Sequence, residues 1–194
     1  MAASSNRIAL LCHPDAPMPS VHGIGVRACI AADGALELAF RLDADLSALR
    51  IPPRVAAPGP TDGLWRHTCF EVFVAAGTGP GYHEFNLSPS GNWAAYAFDD
   101  YRVRAARAVP TVPALRLTRG GDRLELAARL APQSLPHAAT GPALRLALTA
   151  VVEDRDGRLS YWALRHAPGR PDFHHRDGFV LTLATGAATA AVHC

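Results

Sequence analysis

Residues 82–96 read YHEFNLSPSGNWAAY, and this stretch decides the fold class. The segment Pro89–Asn92 consists of residues that favour turns. The flanking segments Tyr82–Ser88 and Trp93–Phe98 are rich in aromatic and apolar residues that suit strands. The stretch therefore predicts a β-hairpin.

The first strand of this hairpin separates polar from apolar side chains. Side chains alternate in direction along a strand, so Glu84 and Asn86 share one face. Phe85 and Leu87 share the opposite face and are expected in the core, because the buried face sets the register. The polar pair is therefore predicted to point away from the core.

Strand-like segments and turn residues recur along the rest of the chain. Three further hairpins are predicted, formed by Val21–Ala31 with Ala35–Leu42, by Leu115–Thr118 with Leu124–Leu130, and by Leu144–Val152 with Leu159–His166. Trp65–Ala75 is apolar on both faces and is predicted to be a central strand, and Phe179–Leu183 closes the fold. About ten short strands without alternating helices predict an all-β protein, an antiparallel β-sandwich of the immunoglobulin-like or jelly-roll type.

The composition narrows the class of protein and of partner. The chain has 194 residues, of which 49% are hydrophobic and 19% charged, with a net charge of +2. This length predicts one domain over residues 1–184, followed by a frayed tail over residues 185–194. All 19 cationic residues are arginine, which excludes lysine Schiff-base chemistry and lysine-type phosphate loops. The near-balanced charge argues against a nucleic-acid partner, and no apolar run is long enough to span a membrane.

The sequence also lacks signals for export, cofactors and metals. The apolar N-terminal segment Ile8–Cys12 is shorter than the roughly 7–15 residues of a signal peptide, so a cytoplasmic location is predicted. No flavin or nucleotide fingerprint is present, and no cofactor is expected. The histidines and cysteines show no HxxxH, HxH or CxxC spacing, so no metal site is predicted.

Two acids, Glu71 and Glu84, lie in strands that are otherwise suited to burial. A buried carboxylate costs several kcal/mol unless it finds an arginine, hydrogen-bond donors or a wet cavity. Glu71 is therefore open to two interpretations, a structural ion pair or a polar group on a ligand-binding sheet face. Glu84 together with Asn86 favours a ligand site, because a few convergent polar groups are typical of ligand pockets.

The three tryptophans, Trp65, Trp93 and Trp162, each begin or lie within a predicted strand. A tryptophan is more often part of the core than a binding platform. Trp65 differs because it follows Asp62-Gly63 at a junction between loop and strand, where its indole can project over the end of the sheet. A flat indole can stack on the apolar face of a sugar ring, while carboxylate, amide and guanidinium groups bind its hydroxyls.

Three stretches together resemble a known bacterial group. They are DGLWRHTCFEVFV at residues 62–74, the hairpin at residues 82–96, and SYWALRH at residues 160–166 followed by PDFHHRDGF at residues 171–179. The chain is similar in these stretches to the DOMON-like proteins, which are related to carbohydrate-binding module family 9. The resemblance implies a β-sandwich with a small-molecule site on a concave sheet face, and a sugar or haem as ligand.

The resemblance also implies roles for individual residues. Trp65 and Trp162 match the two tryptophans that clamp the sugar, and Glu71 matches the acid that binds its hydroxyls. Haem is not expected, because that branch of the group uses a methionine and a histidine as axial ligands. The methionines of this chain are Met1 and Met18, both outside the predicted strands.

These observations predict a non-catalytic protein that binds a small ligand, with a sugar as the expected ligand. The predicted ligand-binding residues, which are expected to meet at one cavity, are Trp65, Glu71, Glu84, Asn86, Trp162 and His166. Two alternatives stay open. One is a glycoside hydrolase-like enzyme that uses Glu71 and Glu84, and the other is an interaction domain without a ligand.

Overall fold

The computed structural model describes residues 7–136 and 143–185, and these residues form twelve β-strands. In the first half of the chain the strands are β1 (Ile8–Cys12), β2 (Val21–Ile30), β3 (Leu36–Ala44), β4 (Cys69–Ala76), β5 (Tyr82–Leu87) and β6 (Trp93–Asp100). In the second half they are β7 (Val103–Arg104), β8 (Ala114–Gly120), β9 (Arg123–Leu130), β10 (Ala143–Glu153), β11 (Leu159–Ala163) and β12 (Leu181–Ala184). Three 3₁₀ turns, Leu64–Arg66, Pro132–Ser134 and Arg176–Gly178, are the helical elements of the described residues.

The strands pair antiparallel along one hydrogen-bonded path. Its order is β7-β6-β5-β4-β10-β11-β1-β2-β3-β9-β8, and β12 pairs separately with β10. Strand β1 connects the two halves of this path, because Ile8–Leu10 pair with β2 and Leu11–Cys12 pair with β11. We call the half from β7 to β11, with β12, the site sheet, and the half from β2 to β8 the second sheet.

The two halves face each other across a common core. The rings of Phe40 on β3 and Phe70 on β4 lie 5.0 Å apart between centroids, although β10, β11, β1 and β2 separate these strands along the path. This contact requires the path to fold over on itself into a sandwich. Phe70, Val72 and Val74 alternate along β4 and are fully buried in the core between the sheets.

The site sheet also buries apolar groups on its outer face, away from the second sheet. Phe73, Tyr82, Phe98 and Phe179 pack together there, and Tyr82 stacks on Phe98 with centroids 4.8 Å apart. Both faces of this sheet are thus partly covered. These apolar side chains leave one region of the outer face open.

The predicted all-β antiparallel sandwich is confirmed, and so are its four hairpins. Two differences from the predicted boundaries bear on the site. Trp65 lies on a 3₁₀ turn that follows Gly63, whose φ is 76°, and strand β4 begins only at Cys69. Strand β11 ends at Ala163 rather than His166, because β12 occupies the edge of β10 along Ala143–Leu146.

Residues 186–194 of the predicted tail lie outside the described residues. Within the described part of the chain, no helix is long and apolar enough to cross a membrane.

Candidate functional site

Polar side chains meet on the outer face of the site sheet, where β10, β4, β5 and β6 lie side by side. In the register of β4, Glu71 stands opposite Asn86 on β5 and opposite Thr149 on β10. Glu84 on β5 stands opposite Tyr96 on β6. Directly opposed residues of antiparallel strands share a face, so all five side chains are on one surface.

A cavity of about 780 Å³ lies over this surface. Glu71 and Glu84 reach it from the sheet, and both are almost completely buried, with 3% and 5% of their surface exposed. The aromatic side chains that line it come from four separate segments and are Trp65, Tyr96, Phe98, Tyr161 and Phe173. The cavity thus combines a polar floor with aromatic walls, which is the usual composition of a small-molecule site.

The two acids share one low-dielectric region. Burial raises the pKa of Glu71 well above its ordinary value, and the neighbouring Glu84 carboxylate raises it further. Burial also raises the pKa of Glu84 to about 7, against the opposing effects of the Asn86 hydrogen bond and of Arg102 and Arg104. The pair therefore resists full ionisation near neutral pH.

The floor contains hydrogen-bonding capacity that the protein itself does not use. Asn86 Nδ2 donates to Glu84 Oε1 over 2.8 Å. The buried atoms Glu71 Oε1 and Asn86 Oδ1 have no hydrogen-bond partner among the described residues. Buried polar atoms are rarely left unpaired, so a ligand that supplies hydroxyl groups beside Glu71 would satisfy part of this demand.

Trp65 stands at the mouth of the cavity. Its side chain is 48% exposed, and its position on the turn after Gly63 lifts it clear of the sheet. The guanidinium of Arg66 lies 5.2 Å from the centre of the indole ring. An exposed indole beside a polar floor offers a flat surface to a ligand.

Tyr96 forms a second ordered group at the cavity. Its hydroxyl donates to Asp62 Oδ1 over 2.6 Å, and the guanidinium of Arg104 lies 4.1 Å above the centre of its ring. Burial and the Asp62 carboxylate both raise the pKa of Tyr96. The phenol therefore stays protonated and keeps this hydrogen bond.

His174 closes the side of the cavity with a fixed orientation. The Tyr82 hydroxyl accepts from the backbone N–H of Arg102 over 3.2 Å and lies 2.8 Å from His174 Nδ1. We assign the hydroxyl as the donor to Nδ1, which places the imidazole proton on Nε2, 3.8 Å from Glu84 Oε2. Burial, with a further contribution from Arg102, lowers the pKa of His174 to about 4, so the imidazole is a neutral N–H donor.

Three of the predicted ligand-binding residues meet at this cavity. Trp65, Glu71 and Glu84 line it. Asn86 is fully buried next to them and reaches the site through its hydrogen bond to Glu84. The predicted orientation of Glu84 and Asn86, away from the core between the sheets, is the orientation observed.

The prediction that Trp162 lines the same cavity is wrong. Trp162 is paired with Ala150, and both side chains belong to the core between the two sheets. Only 8% of Trp162 is exposed, and its Nε1 donates to the buried Ser160 Oγ over 2.6 Å. The strand neighbour Tyr161 faces the cavity instead, because alternate residues point to opposite sides of β11.

His166 is also displaced from its predicted position. It follows the end of β11, its Nε2 donates to the Leu11 carbonyl over 2.8 Å, and its ring lies edge-on to His13 at 4.8 Å. The centroid of its ring lies 6.4 Å from that of Phe173, and it is not among the residues that line the cavity. The prediction assumed that the strand continues to His166, whereas β11 ends at Ala163.

Sequence reasoning missed the contributions of Tyr161, Phe173, His174 and the arginines of the cavity. The segment of residues 171–179 was one of the stretches that carried the resemblance, and this was the available signal for Phe173 and His174. The arginines Arg102 and Arg104 come from the two-residue strand β7 and its turn, which has no periodic pattern.

Potential metal ligands are not grouped in the described part of the chain. Among the described residues, no group of three or more histidine, cysteine, aspartate or glutamate side chains could hold a metal ion. Met18 is 8% exposed and packs in the core between the sheets, away from the cavity.

The chain resembles known proteins in structure but not in sequence. No family model and no curated protein sequence matches the chain. A solved structure of a candidate carbohydrate-binding protein from Bacteroides uniformis is similar, with a TM-score of 0.63 and 16% identity, over 92% of this chain and 84% of that one.

Two further similar structures are of a carbohydrate-binding module of family 9 from Caldicellulosiruptor kristjanssonii. The complex with cellotriose has a TM-score of 0.58 and 9% identity, over 97% of this chain and 86% of that one. The complex with glucose has a TM-score of 0.56 and 9% identity, over 95% and 88%. The chain therefore has the β-sandwich fold of the family 9 carbohydrate-binding modules.

Proposed function

We propose that the chain is a non-catalytic binding protein whose cavity on the site sheet takes a sugar. The observation that carries this proposal is the half-exposed indole of Trp65 beside buried polar atoms that lack hydrogen-bond partners. A sugar ring presents an apolar face for an indole and hydroxyls for polar groups.

The polar groups of the site suit a polyol. Glu84 and Glu71 accept hydrogen bonds when ionised and can donate when protonated, and His174 Nε2–H is a donor. The hydroxyl groups of a sugar can both donate and accept hydrogen bonds, so they can pair with the acceptors and with the donors of this cavity. The fold supports this proposal, because similar structures are complexes with cellotriose and glucose.

The hydrolase alternative has less support than binding. The similar solved structures from Bacteroides uniformis and Caldicellulosiruptor kristjanssonii are of carbohydrate-binding proteins. The hydrolase alternative rests only on the presence of Glu71 and Glu84 in the lining of one cavity. The interaction-domain alternative also has less support, because the cavity keeps a volume of about 780 Å³ unfilled by the protein's own side chains.

Trp65→Ala is expected to weaken sugar binding by about 30-fold or more, because truncation of a tryptophan that stacks on a ligand removes about 2 kcal/mol or more. The free energy of unfolding should change by less than about 1 kcal/mol, since the side chain is half-exposed. Isothermal titration calorimetry with glucose and with cellotriose measures the first quantity. Urea unfolding measures the second.

Val112→Ala is the control, because Val112 is 83% exposed and does not line the cavity. Its affinity for both sugars should equal that of the wild type. Equal affinity of Trp65→Ala and the wild type would refute the role of the indole. Release of glucose from cellotriose by the wild-type protein would refute the non-catalytic assignment.

A further inference from the structure

The mouth of the cavity has an excess of unpaired positive charge. Four arginines line it, namely Arg66, Arg102, Arg104 and Arg170, and their side chains are exposed. Arg102 forms an ion pair with Asp172 over 2.8 Å. Within residues 7–136 and 143–185, the other three form no ion pair, whereas seven arginines elsewhere do, namely Arg7, Arg41, Arg50, Arg107, Arg123, Arg129 and Arg158.

Two of these three guanidinium groups are held in place by aromatic rings. Arg66 lies over Trp65 at 5.2 Å, and Arg104 lies over Tyr96 at 4.1 Å. Stacking on a ring face uses the plane of the guanidinium and leaves its N–H groups free at the edge. The N–H donors of these two guanidinium groups are thus oriented by the rings and are not used in an ion pair with a carboxylate.

The carboxylates near the mouth offset only part of this charge. Asp62 lines the cavity and accepts the hydroxyl of Tyr96, and Asp172 beside the cavity is bound by Arg102 and by the hydroxyl of Tyr101 at 2.6 Å. Two carboxylates thus stand against the four guanidinium groups. The other two acids lie on the buried floor, where burial opposes their ionisation.

We infer that the cavity selects a sugar that carries an anionic substituent, a carboxylate or a phosphate, with the sugar ring toward Glu71 and Glu84 and the anion at Arg66, Arg104 and Arg170. Planar guanidinium groups bind both kinds of anion through paired N–H donors. This inference rests on the proposed function, since it names the class of sugar for the same cavity.

The test compares four ligands by isothermal titration calorimetry, namely glucose, glucuronate, glucose 6-phosphate and inorganic phosphate. At an ionic strength of about 20 mM, at least one of the two anionic sugars should bind about 10-fold or more tightly than glucose. The preference should shrink at about 300 mM, because salt screens exposed charges. If glucuronate binds more tightly than glucose 6-phosphate, the preferred anion is a carboxylate, and if glucose 6-phosphate binds more tightly, it is a phosphate.

Arg104→Gln and Arg170→Gln should each reduce the ratio of the affinity for the anionic sugar to the affinity for glucose, since glucose offers no charge to the guanidinium. Arg116→Gln is the matched control, because Arg116 is an exposed arginine on the edge strand β8, away from the cavity. Its binding of all four ligands should equal that of the wild type.

The outcomes separate this inference from the proposed function. Glucose binding as tightly as both anionic sugars at low ionic strength would overturn the inference and leave sugar binding intact. A preference that survives in the double variant Arg104→Gln/Arg170→Gln would also overturn it. Inorganic phosphate binding as tightly as the tightest of the three sugars, or no binding by any of the three sugars, would overturn the proposed function together with the inference.

Discussion

Phe70→Ala is expected to lower the free energy of unfolding by about 3–5 kcal/mol, the range for removal of a large side chain from a close-packed core. Phe70 is fully buried on β4, which pairs with β5 on one side and β10 on the other. Its ring packs against Phe40 of the second sheet at 5.0 Å. The cavity left by the substitution would lie between the two sheets, where neither can move without breaking strand pairs.

Urea or thermal unfolding of Phe70→Ala and of the wild type gives this difference. Val112→Ala is the control and should lie within about 0.5 kcal/mol of the wild type, because an exposed surface side chain makes little contact. A loss below about 1 kcal/mol for Phe70→Ala would show that the sheets do not close on this residue.

Glu84→Gln is expected to gain stability relative to the wild type as the pH rises from about 4.5 to about 7. Burial raises the pKa of Glu84 from its ordinary 4.5 to about 7 in the folded protein. Over this interval the unfolded chain is ionised and the folded protein still holds the proton, so the wild type loses stability as the pH rises. Glutamine cannot ionise and avoids this loss, which is about 3 kcal/mol above pH 7.

The difference between variant and wild type is the quantity to measure, because other groups face Glu84. Glu71 adds a pH dependence of the same sign, since burial also raises its pKa. His174 adds one of opposite sign, because its pKa is lowered to about 4 and stability is lost as the pH falls from 6.5. Arg102 and Arg104 stay charged throughout. The contributions of His174 and the arginines largely remain in Glu84→Gln and cancel in the difference. Glu71 loses the neighbouring carboxylate that raises its pKa, so its change adds to the difference with the same sign.

Unfolding free energies of both proteins between pH 4.5 and pH 8 give the curve. Val112→Ala should keep a constant offset from the wild type, because the substitution neither adds nor removes an ionisable group. A constant offset for Glu84→Gln as well would show that water solvates the Glu84 carboxyl group as fully as that of a surface residue.

The sequence was most informative where one face of a strand was apolar and the other polar. Along residues 82–87, Phe85 and Leu87 go to the core and Glu84 and Asn86 go to the site, as the period of two predicts. The turn at residues 89–92 then fixes the pairing with β6. Local pattern and buried face agree in this hairpin, so one register satisfies both.

The pattern was insufficient where both faces of a strand are covered. On β11 the alternation correctly separates Trp162 from Tyr161, but it does not say which of the two enters the core. Both are large aromatic residues, and both faces of the site sheet bury apolar groups. The choice is made by pairing with β10, which sets Trp162 beside Ala150 and Tyr161 beside Val151.

Long-range geometry accounts for the rest of the site. The arginines at the mouth come from the turn at Leu64–Arg66, from the short strand β7 and from the segment after β11. None of these segments has a period, and exposed arginines are common in any sequence. Only their common position around one cavity, and their stacking on Trp65 and Tyr96, distinguishes them.

Strand β1 has a consequence for self-association. Its five residues cover the open side of β2 with one half and the open side of β11 with the other. Detachment of this one short strand would expose unpaired backbone donors and acceptors on two strands at once. Exposed strand edges of this kind are templates for pairing with another chain. Retention of β1 is therefore a safeguard against edge-to-edge aggregation, in addition to its part in linking the halves of the sandwich.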